Sequence, residues 1–180
     1  MPSFSAANPR RSNSSLDTGA QPMHVYLLVK LLHIAAVIAF LGNIATGLFW
    51  HAHAARTRDP MLLGAILEGI IRSDRIFTVP GVIAIVATGI AAAILGNIPI
   101  LRTGWMLLAI VLFSVSGLIF ALRVAPLQRQ LRAFANAAVQ SGKFDYAGYH
   151  ARAVRWELWG GVALLAPLGA LVLMVLKPSL

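Results

Sequence analysis

The chain has 180 residues, of which 58% are hydrophobic and only 12% charged, with a mean hydropathy of +0.77. Soluble domains carry about 25% charged residues, so an ordinary globular domain is excluded, as are a disordered arm and a collagen-like rod. A formal charge of +9, from 15 Lys+Arg against 6 Asp+Glu, suits anionic lipid or nucleic acid, and its placement has to decide between them.

No cysteine is present, which removes disulfides, thiolate metal sites, iron–sulfur clusters and cysteine nucleophiles. Any metal or haem would rest on the five histidines, with methionine as a weaker ligand. Residues 1–22 are rich in Ser, Asn, Ala and Pro, without periodicity, and read as a disordered tail. Arg10-Arg11 is followed by the polar run Ser12–Gln21, so it does not open a cleavable or twin-arginine signal.

Residues 23–180 read as one membrane domain with spans at about 25–50, 76–96, 104–123 and 156–177. Each approaches or exceeds the ~20 residues that cross a ~30 Å hydrocarbon core. The expected fold is an all-α, four-helix transmembrane bundle with short amphipathic cytoplasmic helices. After Asp59, a plausible N-cap with Pro60 in the first turn, Leu63, Ile66, Leu67, Ile70 and Ile71 recur at helical spacing. Residues 124–155 extend spans three and four and break around Ser141-Gly142. Leu127, Leu131 and Phe134 beside Arg129 and Arg132 predict a helix lying on the membrane surface.

Ten basic residues flank the first and third connections: Arg56, Arg58, Arg72, Arg75, Arg123, Arg129, Arg132, Lys143, Arg152 and Arg155. Five, Arg10, Arg11, Lys30, Arg102 and Lys177, lie on the other side. The asymmetry places both long connections in the cytoplasm and both termini in the periplasm of an inner membrane. The positive charge is therefore a topology signal that faces anionic lipid, not nucleic acid.

Function then narrows to polar residues that the membrane must justify. Lys30 and His33 share one helix face. His33 lies about 10–12 Å beyond the start of its span at 1.5 Å per residue. Three readings stay open for it: a bundle histidine bonded to Ser, Thr or a carbonyl; an axial haem or metal ligand; or a proton relay. His51 follows 18 residues later on the same face, about 27 Å away, so one haem cannot bridge the two.

His51 and His53 read as a solvated helix end or a His-x-His metal site. His150, expected on the same side, would let His51 join a bis-histidine haem. His24 reads as a tail residue at the outer interface. Asp74 beside Arg72 and Arg75, and Glu157 beside Arg155, are expected as ion pairs at the cytoplasmic rim. Asn43, Thr46-Gly47 and Thr88-Gly89 suit close helix packing, and Trp50, Trp105, Trp156 and Trp159 suit interfacial anchoring. No phosphate loop, Ser/His/Asp arrangement or paired intramembrane carboxylates are found.

Several motifs appear in order on these helices: Lys30-Leu31-Leu32-His33, Gly42-Asn43 and Phe49-Trp50-His51, then Phe77-Thr78-Val79-Pro80-Gly81, Thr88-Gly89 and the closing Val175-Leu176-Lys177-Pro178. Over residues 26–178 the chain thereby resembles the small bacterial integral membrane proteins related to copper-resistance D proteins and HemJ-type protoporphyrinogen oxidases. The resemblance implies a b-type haem with His33 as axial ligand and Lys30 as its charged neighbour. Helix three departs from the oxidases: Trp105-Met106-Leu107-Leu108-Ala109 lacks the basic residues they carry there. Three functions are therefore expected to compete: a haem- or porphyrin-associated membrane protein; a non-enzymatic assembly subunit, as a homo-oligomer or with a membrane partner; and a small copper- or proton-handling transporter.

Overall fold

The computed structural model describes residues 17–179, with side chains from Met23 onward; of the tail expected over residues 1–22, residues 1–16 lie outside them. Six helices follow one another: α1 (Asp17–Ala55), α2 (Pro60–Ser73), α3 (Val79–Leu95), α4 (Gly104–Ile119), α5 (Ala125–Ser141) and α6 (Tyr146–Leu176). Among the described residues there is no strand, and the fold is the expected all-α bundle. Helix α1 begins at Asp17, inside the segment read as tail.

Two pairs of helices are continuous. A π-helical turn, Asp74–Thr78, joins α2 to α3, and a second, Phe120–Val124, joins α4 to α5. Each closes with a bond across five residues, from Val79 N–H to the Asp74 carbonyl and from Ala125 N–H to the Phe120 carbonyl. The cause is legible in the chain: Pro80 and Pro126 each follow the turn by two residues. A proline ring crowds the carbonyl four residues back and brings no N–H for it. Those carbonyls, on Ile76 and Leu122, sit inside the widened turns, so the helix accommodates proline with a bulge instead of breaking.

Four helical rods able to span a membrane result: Met23–Ala55, Pro60–Leu95, Gly104–Ser141 and Tyr146–Leu176. The second and third contain 36 and 38 residues, or about 54 and 57 Å at 1.5 Å per residue, well beyond a ~30 Å hydrocarbon core. The excess is α2 and α5; together with the start of α6 and the turns that flank them, this end of the bundle holds nine of the twelve arginines. This basic end has its own apolar core, with Leu63, Leu67, Leu131 and Tyr149 fully buried beside Ala54, Ala135, Ala153 and Trp156. A helix end that projects beyond the hydrocarbon core gains from water a hydrophobic driving force that lipid cannot supply, about 1.5–3 kcal/mol for each large side chain buried.

The stripe Leu127, Leu131 and Phe134 belongs to that core or packs against it, not to a membrane surface. Helix α5 has α2 and α6 to pack on, so burial against protein replaces burial in lipid. Local signals behave as read from the sequence. Asp59 caps α2 by accepting from Met61 N–H at 2.9 Å, and α5 ends at Gly142 with φ of 67°. Toward the opposite end the bundle divides into an α1/α3 pair and an α4/α6 pair, with Phe40 meeting Phe113 at 5.6 Å. Inside the second pair, buried Ser116 Oγ donates to the Ala163 carbonyl at 2.6 Å.

Candidate functional site

Three polar centres lie at successive levels of α1. His33, Asn43 and His51 belong to one helix, so the 10- and 8-residue intervals put them about 15 and 12 Å apart along its axis. Each meets a different partner set.

The middle centre is built around Asp74, the first residue of the α2/α3 bulge. Asn43 Nδ2 donates to Asp74 Oδ1 at 3.2 Å and to Thr78 Oγ1 at 2.9 Å. Thr78 Oγ donates to Asp74 Oδ1 at 2.9 Å, and Gln128 Nε2 donates to Asp74 Oδ2 at 3.1 Å. Thr78 and Gln128 are both about 3% exposed. Three neutral side chains from α1, the bulge and α5 thus converge on one carboxylate.

The expected Asp74–Arg75 ion pair is not formed, nor is one with Arg72. Consecutive residues point to different helix faces, so inward Asp74 forces Arg75 outward, where it is exposed. Beside Asp74 lies a small cavity of about 20 Å³, lined also by Asn43, Gly47, Phe120, Trp156 and Gly160. That is room for about one water molecule. Trp156 is 2% exposed and its indole Nε1 has no hydrogen-bond partner. It is a core residue, not the interfacial anchor that its place near a span end suggested.

The second centre surrounds His51, which is fully buried. Its Nδ1 lies 3.0 Å from Glu157 Oε1 and its Nε2 lies 2.9 Å from Tyr149 Oη. An ionised carboxylate can only accept, so Nδ1–H donates to Glu157 and Nε2 accepts from the Tyr149 hydroxyl. Trp156 packs edge-on against the imidazole, with ring centroids 4.7 Å apart. The result is one chain, Tyr149–His51–Glu157, running from a buried hydroxyl to a carboxylate whose side chain is 36% exposed.

Both nitrogens of His51 are engaged, which leaves none for a haem or metal. Residue 149, not His150, meets it; His150 is exposed and leans on Tyr146. Glu157 pairs with His51 in place of Arg155, since residues two apart do not share a helix face. His53 is exposed, near Phe49 and Trp50.

The third centre is His33 on the α1/α3 pair. Its Nδ1 faces the Ile85 carbonyl at 3.0 Å and Thr88 Oγ1 at 3.1 Å. The Thr88 hydroxyl is itself directed at the Ala84 carbonyl. Nδ1 therefore faces two acceptors and carries the proton, which leaves the Nε2 lone pair free in the neutral ring. Gly89 provides the seat, because a Cβ there would come within 3.1 Å of His33 Cε1. Lys30 does not join this centre. It is exposed and reaches back one turn to lie 6.0 Å from the Tyr26 ring centroid.

Tyr149, Gln128, Thr78 and Trp156 were not singled out by sequence as site residues. Gln128 sits among charged neighbours and Tyr149 beside a histidine, so their inward position was visible only as spacing: Gln128, Leu131 and Ala135 share one face. Among the described residues, no group of three or more His, Cys, Asp or Glu could hold a metal ion.

No curated protein and no solved structure matches the chain. A family does, over residues 27–178, under the description "Predicted integral membrane protein (DUF2269)". The match spans all four apolar rods and the polar centres between them, and the chain belongs to this family of integral membrane proteins.

Proposed function

We propose that this membrane protein handles protons, with Asp74 as the exchanging group and the Tyr149–His51–Glu157 chain as its link to the basic face. The observation that carries this reading is a bundle carboxylate held by three neutral donors and no cation. An ionisable group in such a place is costly unless it serves an ion or proton path. A water in the adjoining cavity would give Trp156 Nε1 an acceptor and Asp74 a proton donor. Trp156 lines that cavity and also packs on His51, so the two centres share one wall. In this reading the basic end lies in the cytoplasm of a bacterial inner membrane, against anionic lipid, and both termini are periplasmic.

The test is proton uptake into proteoliposomes carrying a trapped pH dye, driven by a potassium diffusion potential. Flux that depends on added protein and disappears in Asp74→Asn, but persists in Glu68→Gln, supports the proposal. Flux indifferent to Asp74→Asn, or no flux above empty liposomes, refutes it.

His33 favours a second reading. Its Nδ1–H is anchored and its Nε2 is free, the arrangement of an imidazole that ligates through Nε2. It would hold a b-type haem from one side, and the haem would supply one-electron chemistry. His51 cannot complete a bis-histidine pair with it, because it lies 18 residues further along α1, about 27 Å away, and has both nitrogens engaged. A Soret band after haem addition that is lost in His33→Ala would establish this function; no band, or one unchanged in the variant, removes it.

A further inference from the structure

At the basic end, the second π-helical turn and the start of α5 present Arg123, Pro126, Leu127 and Gln130 along one face, at intervals of three, one and three residues. Helix α6 answers with Arg155 and Trp159, one turn apart. Together with Leu122 these residues line a groove of about 240 Å³. The Arg123 guanidinium lies 5.5 Å from the Trp159 ring centroid, a cation–π distance.

The charge in this groove is unbalanced. Every carboxylate with a described side chain has another partner: Asp59 and Asp145 cap helices, Glu68 meets Arg132, Glu157 meets His51, and Asp74 takes neutral donors. Among the described residues, neither Arg123 nor Arg155 forms an ion pair. Two guanidiniums, an amide and an indole thus surround a groove whose other walls are Leu122, Pro126 and Leu127, with Leu122 69% exposed.

The groove lies where the apolar stretch of α4 ends and that of α6 begins, which in a bilayer would put it level with lipid headgroups. We infer that it is a binding site for one anionic phospholipid. The phosphate would sit between Arg123 and Arg155, the glycerol against Trp159, and an acyl chain along Leu122. Guanidinium forks match phosphate oxygens in pairs, and a lipid meets the apolar wall that a free anion would leave bare. The inference does not depend on proton transfer at Asp74, which lies on the inward side of the bundle.

Native mass spectrometry of the full-length protein, released from detergent with added dioleoyl phosphatidylglycerol or dioleoyl phosphatidylcholine, reads the site. One phosphatidylglycerol should be retained in preference to phosphatidylcholine. Arg123→Gln and Arg155→Gln should each weaken retention by about fivefold, and the double variant by roughly 25-fold. The charge-matched double variant Arg72→Gln/Arg129→Gln should leave it unchanged. Equal loss in that control means diffuse charge attraction and overturns the inference, as does equal retention of phosphatidylcholine. Displacement of the lipid by millimolar inorganic phosphate would mark a small-anion site and also overturn it.

Discussion

Tyr149→Phe isolates a single bond. The ring packs among Phe134, Phe144 and His51, at centroid distances of 6.3, 5.6 and 6.1 Å, and phenylalanine keeps those contacts. What disappears is the hydroxyl that His51 Nε2 accepts from at 2.9 Å. His51 is fully buried and its Nδ1 is already committed to Glu157, so Nε2 has no water to turn to. An orphaned buried acceptor costs about 1–3 kcal/mol, and that range is the expected loss. Tyr149→Ala adds a cavity in the basic-end core and should cost about 3–5 kcal/mol.

The assay is reversible unfolding in mixed micelles, followed by far-UV circular dichroism. A double-mutant cycle with Glu157→Gln completes the argument. If His51 couples its two partners, the combined loss should depart from additivity by more than about 0.5 kcal/mol. A Tyr149→Phe protein within about 0.5 kcal/mol of wild type, together with an additive cycle, would refute the hydrogen-bonded chain.

Other outcomes follow from single contacts. Gly89→Ala drives a Cβ to 3.1 Å from His33 Cε1; with the ring fixed by two acceptors, it should cost about 1–3 kcal/mol in the same unfolding assay, and His33→Ala should relieve it. Leu131→Ala empties a fully buried position in the basic-end core and should cost about 2–5 kcal/mol, whereas Leu122→Ala, 69% exposed, should leave stability nearly unchanged. Ser116→Ala removes the α4–α6 bond to the Ala163 carbonyl and should destabilise by about 0.6 kcal/mol, the typical value between membrane helices. Gln128→Leu withdraws the donor to Asp74 Oδ2, and should lower proteoliposome proton flux if Asp74 is the exchanging group.

The helices were legible because hydropathy and length are additive along a chain: four apolar runs of membrane length predict four spans whatever they pack against. Caps and stops were legible for the same local reason, as at Asp59 and Gly142. The site was not, because each part of it comes from a distant segment. Asp74 stands between Arg72 and Arg75 in the chain, and proximity in sequence suggested ion pairs. Helical geometry turns those neighbours to other faces, so the partners that matter, Asn43 and Gln128, are 31 and 54 residues away.

The amphipathic extensions were read correctly as helices, and only what covers the α5 stripe was misread, for a related reason. Periodicity marks an apolar face without saying whether lipid or protein covers it. Helices α2 and α5 are the parts of two rods too long for the membrane, and they cover each other. That pairing converts the basic end from a set of surface helices into a closed core, and only a closed core can bury His51 and Tyr149 away from water. Prolines set the arrangement. Pro80 enforces the bulge that begins at Asp74, and this bulge lets Asp74 and Thr78 face Asn43 together while the helix continues into the membrane. A substitution at Pro80 that restored regular α-helix would rotate α2 relative to α3 by the angle of the extra residue, about 100°. The carboxylate and the α2 face that packs on α5 could then not both point inward.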